Sequence, residues 1–171
     1  MRTERHLLGS WQGTAPVKGE VVFFTGMTGY QEVLTDPSYQ GQILVFTYPL
    51  IGQYGIQVEA SESKQIQVAG VVVQTLAEDG EGTSLASWLS EANVPILSEV
   101  DTRSLVHLLR TEGDQFGDMM QEDMTSLETI DTAYIASVST TSDIEYVLGS
   151  GTRTCRLYRL WCEAIDDRRI A

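Results

Sequence analysis

The chain has 171 residues, 42% of them apolar, and carries 24 acidic against 11 basic side chains for a net charge of −13. That apolar content is enough for a buried core in one domain or slightly more, whereas the acidity argues against nucleic acid or an anionic membrane as partner, since both reward clustered lysine and arginine. No apolar run approaches the roughly 20 residues of a membrane span. The opening Met1-Arg2-Thr3-Glu4-Arg5-His6 is too polar for a signal peptide. Two cysteines, Cys155 and Cys162, make neither a disulfide framework nor a zinc site, which takes about four ligands. A cytoplasmic protein with a solvated acidic surface is expected.

In chain order, Leu7-Leu8-Gly9-Ser10-Trp11-Gln12-Gly13 offers one short apolar segment before the stretch that dominates the sequence, Gly19–Ile56 (GEVVFFTGMTGYQEVLTDPSYQGQILVFTYPLIGQYGI). Its runs Val21–Phe24 and Ile43–Phe46, β-branched and aromatic and bounded by turn formers, read as buried strands. Tyr30–Leu34 between them is long enough for one or two helical turns, which Asp36-Pro37 stops, because proline disfavours a helical residue before it. Asp36-Pro37-Ser38-Tyr39 is a tight turn with φ preset by Pro37 and backbone amides bonded by Asp36. Gly26, Gly29, Gly52 and Gly55 are expected at positive φ or at close approaches, and Tyr30, Tyr48 and Tyr54 either in the core or lining an interface.

Further on, Ser61–Lys64 is a polar loop and Gln65–Leu76 a strand that ends in the continuous apolar run Val71-Val72-Val73, as in a sheet covered on both faces. Ala77–Thr83 is an acidic, glycine-rich loop. Ser84 caps a helix with Leu85, Trp88 and Leu89 on one side; Asn93 ends it, and Val94–Leu97 forms a short strand. Asp101 is the N-cap of a second helix with the stripe Leu105, Leu108 and Leu109, Arg110 near its C-terminus and Gly113 beyond. Phe116–Met120 is a further strand and Ser126–Tyr134 a weak helix. Strands alternating with helices predict a mixed α/β domain.

The ordered runs Gly19-Glu20-Val21-Val22-Phe23, Met27-Thr28-Gly29-Tyr30-Gln31-Glu32, Thr35-Asp36-Pro37-Ser38-Tyr39, Phe46-Thr47-Tyr48-Pro49-Leu50-Ile51-Gly52 and Tyr54-Gly55 resemble the N-terminal domain of the small subunit of glutamine-dependent carbamoyl phosphate synthetase. Val68–Val73 and Asp101-Thr102-Arg103-Ser104-Leu105, Leu108-Leu109-Arg110 and Gly113 continue the resemblance, which covers roughly residues 19–120. It implies a mixed sheet with covering helices over residues 1–148, opened by a hairpin before Gly19 that in this chain is either shortened or has its start misplaced. It also implies docking to a large subunit that uses ATP and Mg²⁺, with no cofactor or metal in this chain. The product, carbamoyl phosphate, feeds arginine and pyrimidine synthesis. Ser38, in the family's Asp-Pro-Ser-Tyr turn, is implied to reach a glutamine bound in the second, glutaminase domain; the alternative is that Ser38 only stabilises its own turn.

The family's glutaminase chemistry takes a nucleophilic cysteine on a glycine-flanked turn, a histidine base and an orienting carboxylate. Nothing here matches that turn, and His6 and His107 pair with no cysteine in any motif, so no residue is assigned a catalytic role and the chain alone is expected to be inactive. The alternatives are a non-catalytic interaction module or a non-functional truncated product. An unrelated acidic α/β binding protein would have to produce the ordered motifs by chance. Apolar surface that the second domain covers in the family would be exposed here and favour self-association.

Residues 149–171 differ from the rest. Residues 1–151 hold 6 basic and 21 acidic side chains, whereas Thr152–Ala171 holds 5 basic and 3 acidic ones, together with both cysteines. In the family, a glycine-rich linker like Gly149-Ser150-Gly151 leads into a strand and an Asp-Tyr-Gly-x-Lys motif. Codons for Cys155–Ile170 read one nucleotide later can yield Val-Ala-Phe-Ile-Asp-Tyr-Gly-Val-Lys-Gln-Ser-Met-Ile. The glycine is forced by the single tryptophan codon of Trp161 and the initial T of Cys162; the other residues require permitted codon choices. The expectation is therefore a linker followed by the out-of-frame start of a glutaminase domain. Sequencing the gene across the codons for Ser150–Trp161 checks it: an intact frame without glutaminase coding downstream overturns the reading.

Overall fold

A computed structural model describes residues 7–57, 60–77, 83–113, 115–121, 145–147 and 154–156. The chain divides into two compact units, residues 1–134 and 135–171. The larger holds β1 (Ser10–Gln12), β2 (Val17–Phe24), α1 (Tyr30–Thr35), a 3₁₀ turn (Pro37–Tyr39), β3 (Ile43–Phe46), β4 (Leu50–Ile51), β5 (Gly70–Val72), β6 (Thr75–Leu76), α2 (Leu85–Glu91), β7 (Ile96–Ser98), α3 (Thr102–Glu112) and β8 (Gln115–Met119). The smaller holds an antiparallel pair, β9 (Glu145–Val147) and β10 (Thr154–Arg156). The boundary expected at 148/149 and the helix expected at Ser126–Tyr134 fall outside the described residues.

Six strands form one mixed sheet in the order β1-β7-β5-β3-β2-β8. The four inner strands are parallel to one another, and the edge strands β1 and β8 run antiparallel to β7 and β2. Alternation along the inner strands divides the core. Leu44, Phe46, Val71 and Val73 pack on one side with Tyr30, Val33 and Leu34 of α1 and with Leu85 and Leu89 of α2. Ile43, Val45 and Val72 pack on the other with Leu105, Val106 and Leu109 of α3. Helices on both faces account for the unbroken apolar runs, and the mixed α/β fold read from the sequence is the one observed.

Both longer helices begin as their sequences prescribe. The Ser84 side chain accepts from the Ser87 amide at 3.2 Å and that of Asp101 from the Ser104 amide at 3.0 Å. These bonds satisfy amides that a helix start leaves without partners. The Ser104 hydroxyl and amide also hold the Asp101 carboxyl below its ordinary range. Asn93 takes a left-handed φ of 58° just past α2. On α3, Leu108 is only half-buried and Val106 takes its place in the core. Arg110 adds a contact no cap rule foresees, its guanidinium lying 5.2 Å from the centre of the Phe23 ring.

The first strand lies at the far edge, where Ser10, Trp11 and Gln12 pair with Ser98, Leu97 and Ile96 of β7; the hairpin expected before Gly19 falls partly outside the described residues. One expectation is corrected. The segment Gln65–Leu76 is not one strand. Gly70–Val72 lies in the main sheet, the chain bends at Gln74, and Thr75-Leu76 pairs with Leu50-Ile51 in a separate parallel ladder.

Gly19, on β2, has no room for a side chain, because a Cβ there would overlap the Gly41 carbonyl oxygen. Backbone cannot yield as a side chain can, so Gly19→Ala pushes β2 from the turn before β3 and should cost about 1–3 kcal/mol, the usual range for overpacking. Thermal unfolding of the two proteins checks this.

Candidate functional site

The Gly19–Ile56 stretch that dominates the sequence is split by the fold between the two ends of β3. β2 and β3 are parallel. The turn before β3 meets the start of β2, where Gly41 abuts Gly19. The loops after these strands meet at the other end, where the Thr47 amide donates to the Phe24 carbonyl at 3.0 Å.

At the first end, the Asp36 carboxylate accepts from the Ser38 amide at 2.8 Å, and its carbonyl accepts from the Tyr39 amide at 3.0 Å. Gln40 bonds back to Pro37 at 3.2 Å, and the Gly41 amide is tied to the Gln67 carbonyl at 3.0 Å. The turn is thus closed by backbone groups and by Asp36. Ser38 contributes its amide, not its hydroxyl, and its side chain stands exposed on a fixed support. A hydroxyl so placed can both donate and accept.

At the other end, α1 acts as a clamp. It starts at Gly29, whose φ of 79° belongs to the left-handed region, and has no side-chain cap. The Tyr30 hydroxyl donates to the Gly55 carbonyl at 3.0 Å and accepts from the Tyr54 amide at 3.1 Å. The two tyrosine rings stack with centres 6.3 Å apart. Tyr30 is therefore a core residue, Tyr48 is half-buried, and Tyr54 stands out at 56% exposure. Burial is the largest influence on the Tyr30 hydroxyl and raises its pKa, against the Tyr54 amide, which lowers it.

Gln31 and Thr35, one turn apart, tie down the segment that follows. The Gln31 amide group donates to the Gln57 carbonyl and to the Ser61 hydroxyl, and its oxygen accepts from the Gln57 amide at 2.8 Å. The Thr35 hydroxyl accepts from the Glu62 amide at 2.9 Å, and its carbonyl accepts from the Ser63 hydroxyl at 2.6 Å. Both residues are buried. Sequence reasoning missed them, although two polar residues at i and i+4 among Tyr30, Val33 and Leu34 are the signal a tether leaves.

His107 is exposed on α3 beside its own neighbour Thr111, Cys155 lies in β10 of the smaller unit, and His6 and Cys162 fall outside the described residues. Among the described residues no three of His, Cys, Asp and Glu gather as metal ligands would, and no helix is long and apolar enough to cross a membrane.

The Tyr30 hydroxyl is the most exacting of these contacts. Tyr30→Phe leaves the buried Gly55 carbonyl without its donor and should cost about 1–3 kcal/mol. A folded-state pKa above the ordinary 10.0 means that this residue's contribution is complete below pH 10 and is lost as pH rises through the folded value. The stability gap between wild type and Tyr30→Phe should therefore narrow above pH 10, which denaturant titrations at pH 8 and pH 11 would read.

Residues 2–119 match the family profile "Carbamoyl-phosphate synthase small chain, CPSase domain". Arginine-specific carbamoyl phosphate synthase small chains are similar to this chain: that of Geobacillus stearothermophilus is 46% identical over 133 residues, covering 75% of this chain and 38% of the relative. That of Halalkalibacterium halodurans is 54% identical over 102 residues (57% and 28%), and that of Bacillus subtilis 51% over 109 (61% and 31%). A carbamoyl phosphate synthase small chain of Symbiobacterium thermophilum, without that specification, is 52% identical over 103 residues (58% and 28%). The aligned region thus spans less than two fifths of each of these relatives. With the profile covering well over half of its residues, the chain belongs to the carbamoyl-phosphate synthase small-chain family and carries its CPSase domain.

Proposed function

We propose that the larger unit serves as the docking domain of a small, amidotransferase-type subunit in cytoplasmic carbamoyl phosphate synthesis. It binds a large subunit in which ATP and Mg²⁺ combine bicarbonate with the ammonia released from glutamine. It also supplies one wall of the glutamine site through Ser38. The observation that carries this reading is the Asp36–Tyr39 turn, which lies inside the family-matched region and leaves its serine hydroxyl outward while other groups hold the turn. Glutamine offers an amide, an ammonium and a carboxylate, all of which a fixed hydroxyl can bond. Glutaminase chemistry is assigned to no residue of this chain. The similarity to arginine-specific small chains supports a place in arginine synthesis. Pyrimidine synthesis draws on the same product.

A pull-down of the large subunit by this chain, with a glutaminase assay on the recovered complex, tests the proposal. Binding without glutaminase activity is expected; failure to bind overturns the docking role. The serine is tested separately in a fusion of residues 1–148 to the glutaminase domain of a relative. Ser38→Ala should raise KM for glutamine about tenfold, the worth of one hydrogen bond to a charged group, and leave ammonia-dependent synthesis unchanged. An unaltered KM would reduce Ser38 to a turn residue.

A further inference from the structure

Away from Ser38, α1, Ile56 with the segment 61–66, and α2 border an open cavity of about 390 Å³. Its polar floor is already internally bonded: Gln31 holds Ser61, and Ser63 donates to the Thr35 and Gln65 carbonyls and accepts from Gln67. A floor bonded in this way is formed before any ligand arrives. The apolar wall is Ile56, Ile66 and the Trp88 ring. Two opposite charges also line the cavity, Lys64 from the loop and Glu91 from the end of α2. Both are exposed, and among the described residues neither makes an ion pair. Lys64 is one of only two lysines in the chain. A preformed hollow of this volume, with an apolar wall and convergent polar groups, is large enough for a small ligand.

We propose that this cavity binds a free α-amino acid, with its carboxylate on Lys64, its ammonium on Glu91 and an uncharged side chain against Trp88 and the two isoleucines. The cation and anion present together select for a zwitterion over a simple anion or cation, because each ligand charge meets its opposite and the other end is not repelled. The apolar wall favours aliphatic side chains, whose burial supplies the part of the affinity that exposed ion pairs, individually weak, do not. The site is distinct from the Ser38 turn and does not depend on the docking role proposed above.

The test is an NMR titration of the full chain, ¹⁵N-labelled at tryptophan, with L-leucine as probe. Leucine should shift the Trp88 indole signal saturably in the millimolar range. N-acetyl-leucine, which lacks the ammonium, and leucine methyl ester, which lacks the carboxylate, should each bind about threefold more weakly. Lys64→Gln should weaken leucine about threefold while losing the discrimination against the ester, and Glu91→Gln should do the same for the acetyl derivative. Both substitutions are on exposed side chains, and unchanged melting temperatures would show that the fold is intact. No saturable shift with leucine, equal binding of the capped derivatives, or binding indifferent to both substitutions would each overturn the proposal.

Discussion

Strand β3 can touch water on neither face. All four of its residues, Ile43, Leu44, Val45 and Phe46, are at most 1% exposed, and burying side chains of this kind is worth about 1.5–3 kcal/mol each. A strand dry on both sides requires a cover on both sides, and that requirement arranges the rest: α1 and α2 above, α3 below, strands on either flank. The covers must cross from one end of the sheet to the other. Whatever chemistry the domain offers is therefore confined to the strand ends and helix margins, where the Ser38 turn, the Tyr54 loop and the Lys64–Glu91 cavity are found.

Helix α1 has a double duty that its size makes unusual. Six residues without a side-chain cap are too few to be stable by themselves. What holds them is the burial of Tyr30, Val33 and Leu34 against the sheet together with six side-chain bonds from Tyr30, Gln31 and Thr35 to Tyr54, Gly55, Gln57, Ser61 and Glu62. The loop is ordered by the helix and the helix by the loop. The Asp36–Tyr39 turn inherits that rigidity directly, since it begins at the residue where α1 stops.

Much of this was legible in the residues. Asp101 and Ser84 announced their helices because a short acceptor before an apolar stripe has one efficient use, and Asp36-Pro37 announced the turn for the same local reason. The Ser38 turn, the element of the candidate site with the strongest motif, was read correctly as a turn. What was not legible depends on partners distant in sequence. The pairing of β1 with β7 joins residues 88 apart, Ser10 with Ser98, and nothing in a three-residue strand names its partner. The break at Gln74 was hidden because Val71–Val73 and Thr75-Leu76 have the same β-forming composition, although they serve different ladders. Gln31 and Thr35 were overlooked since a polar residue on a short helix is more commonly solvated, and only the loop folded over them makes them tethers.

The sheet's strand order also has a consequence in time. β2 pairs with β8 from Val17↔Met119 to Val21↔Gln115, and β1 closes the other edge on β7. The two earliest strands are therefore completed by two of the latest, across loops whose closure entropy must be met before the contacts repay it. During synthesis, a nascent chain that has emerged as far as α2 holds β2 with one neighbour and β1 with none. The apolar faces of β2, β3 and β5 lack α3 until later still. Such a domain condenses late, when residues near 119 leave the ribosome, and until then it depends on protection from other nascent chains.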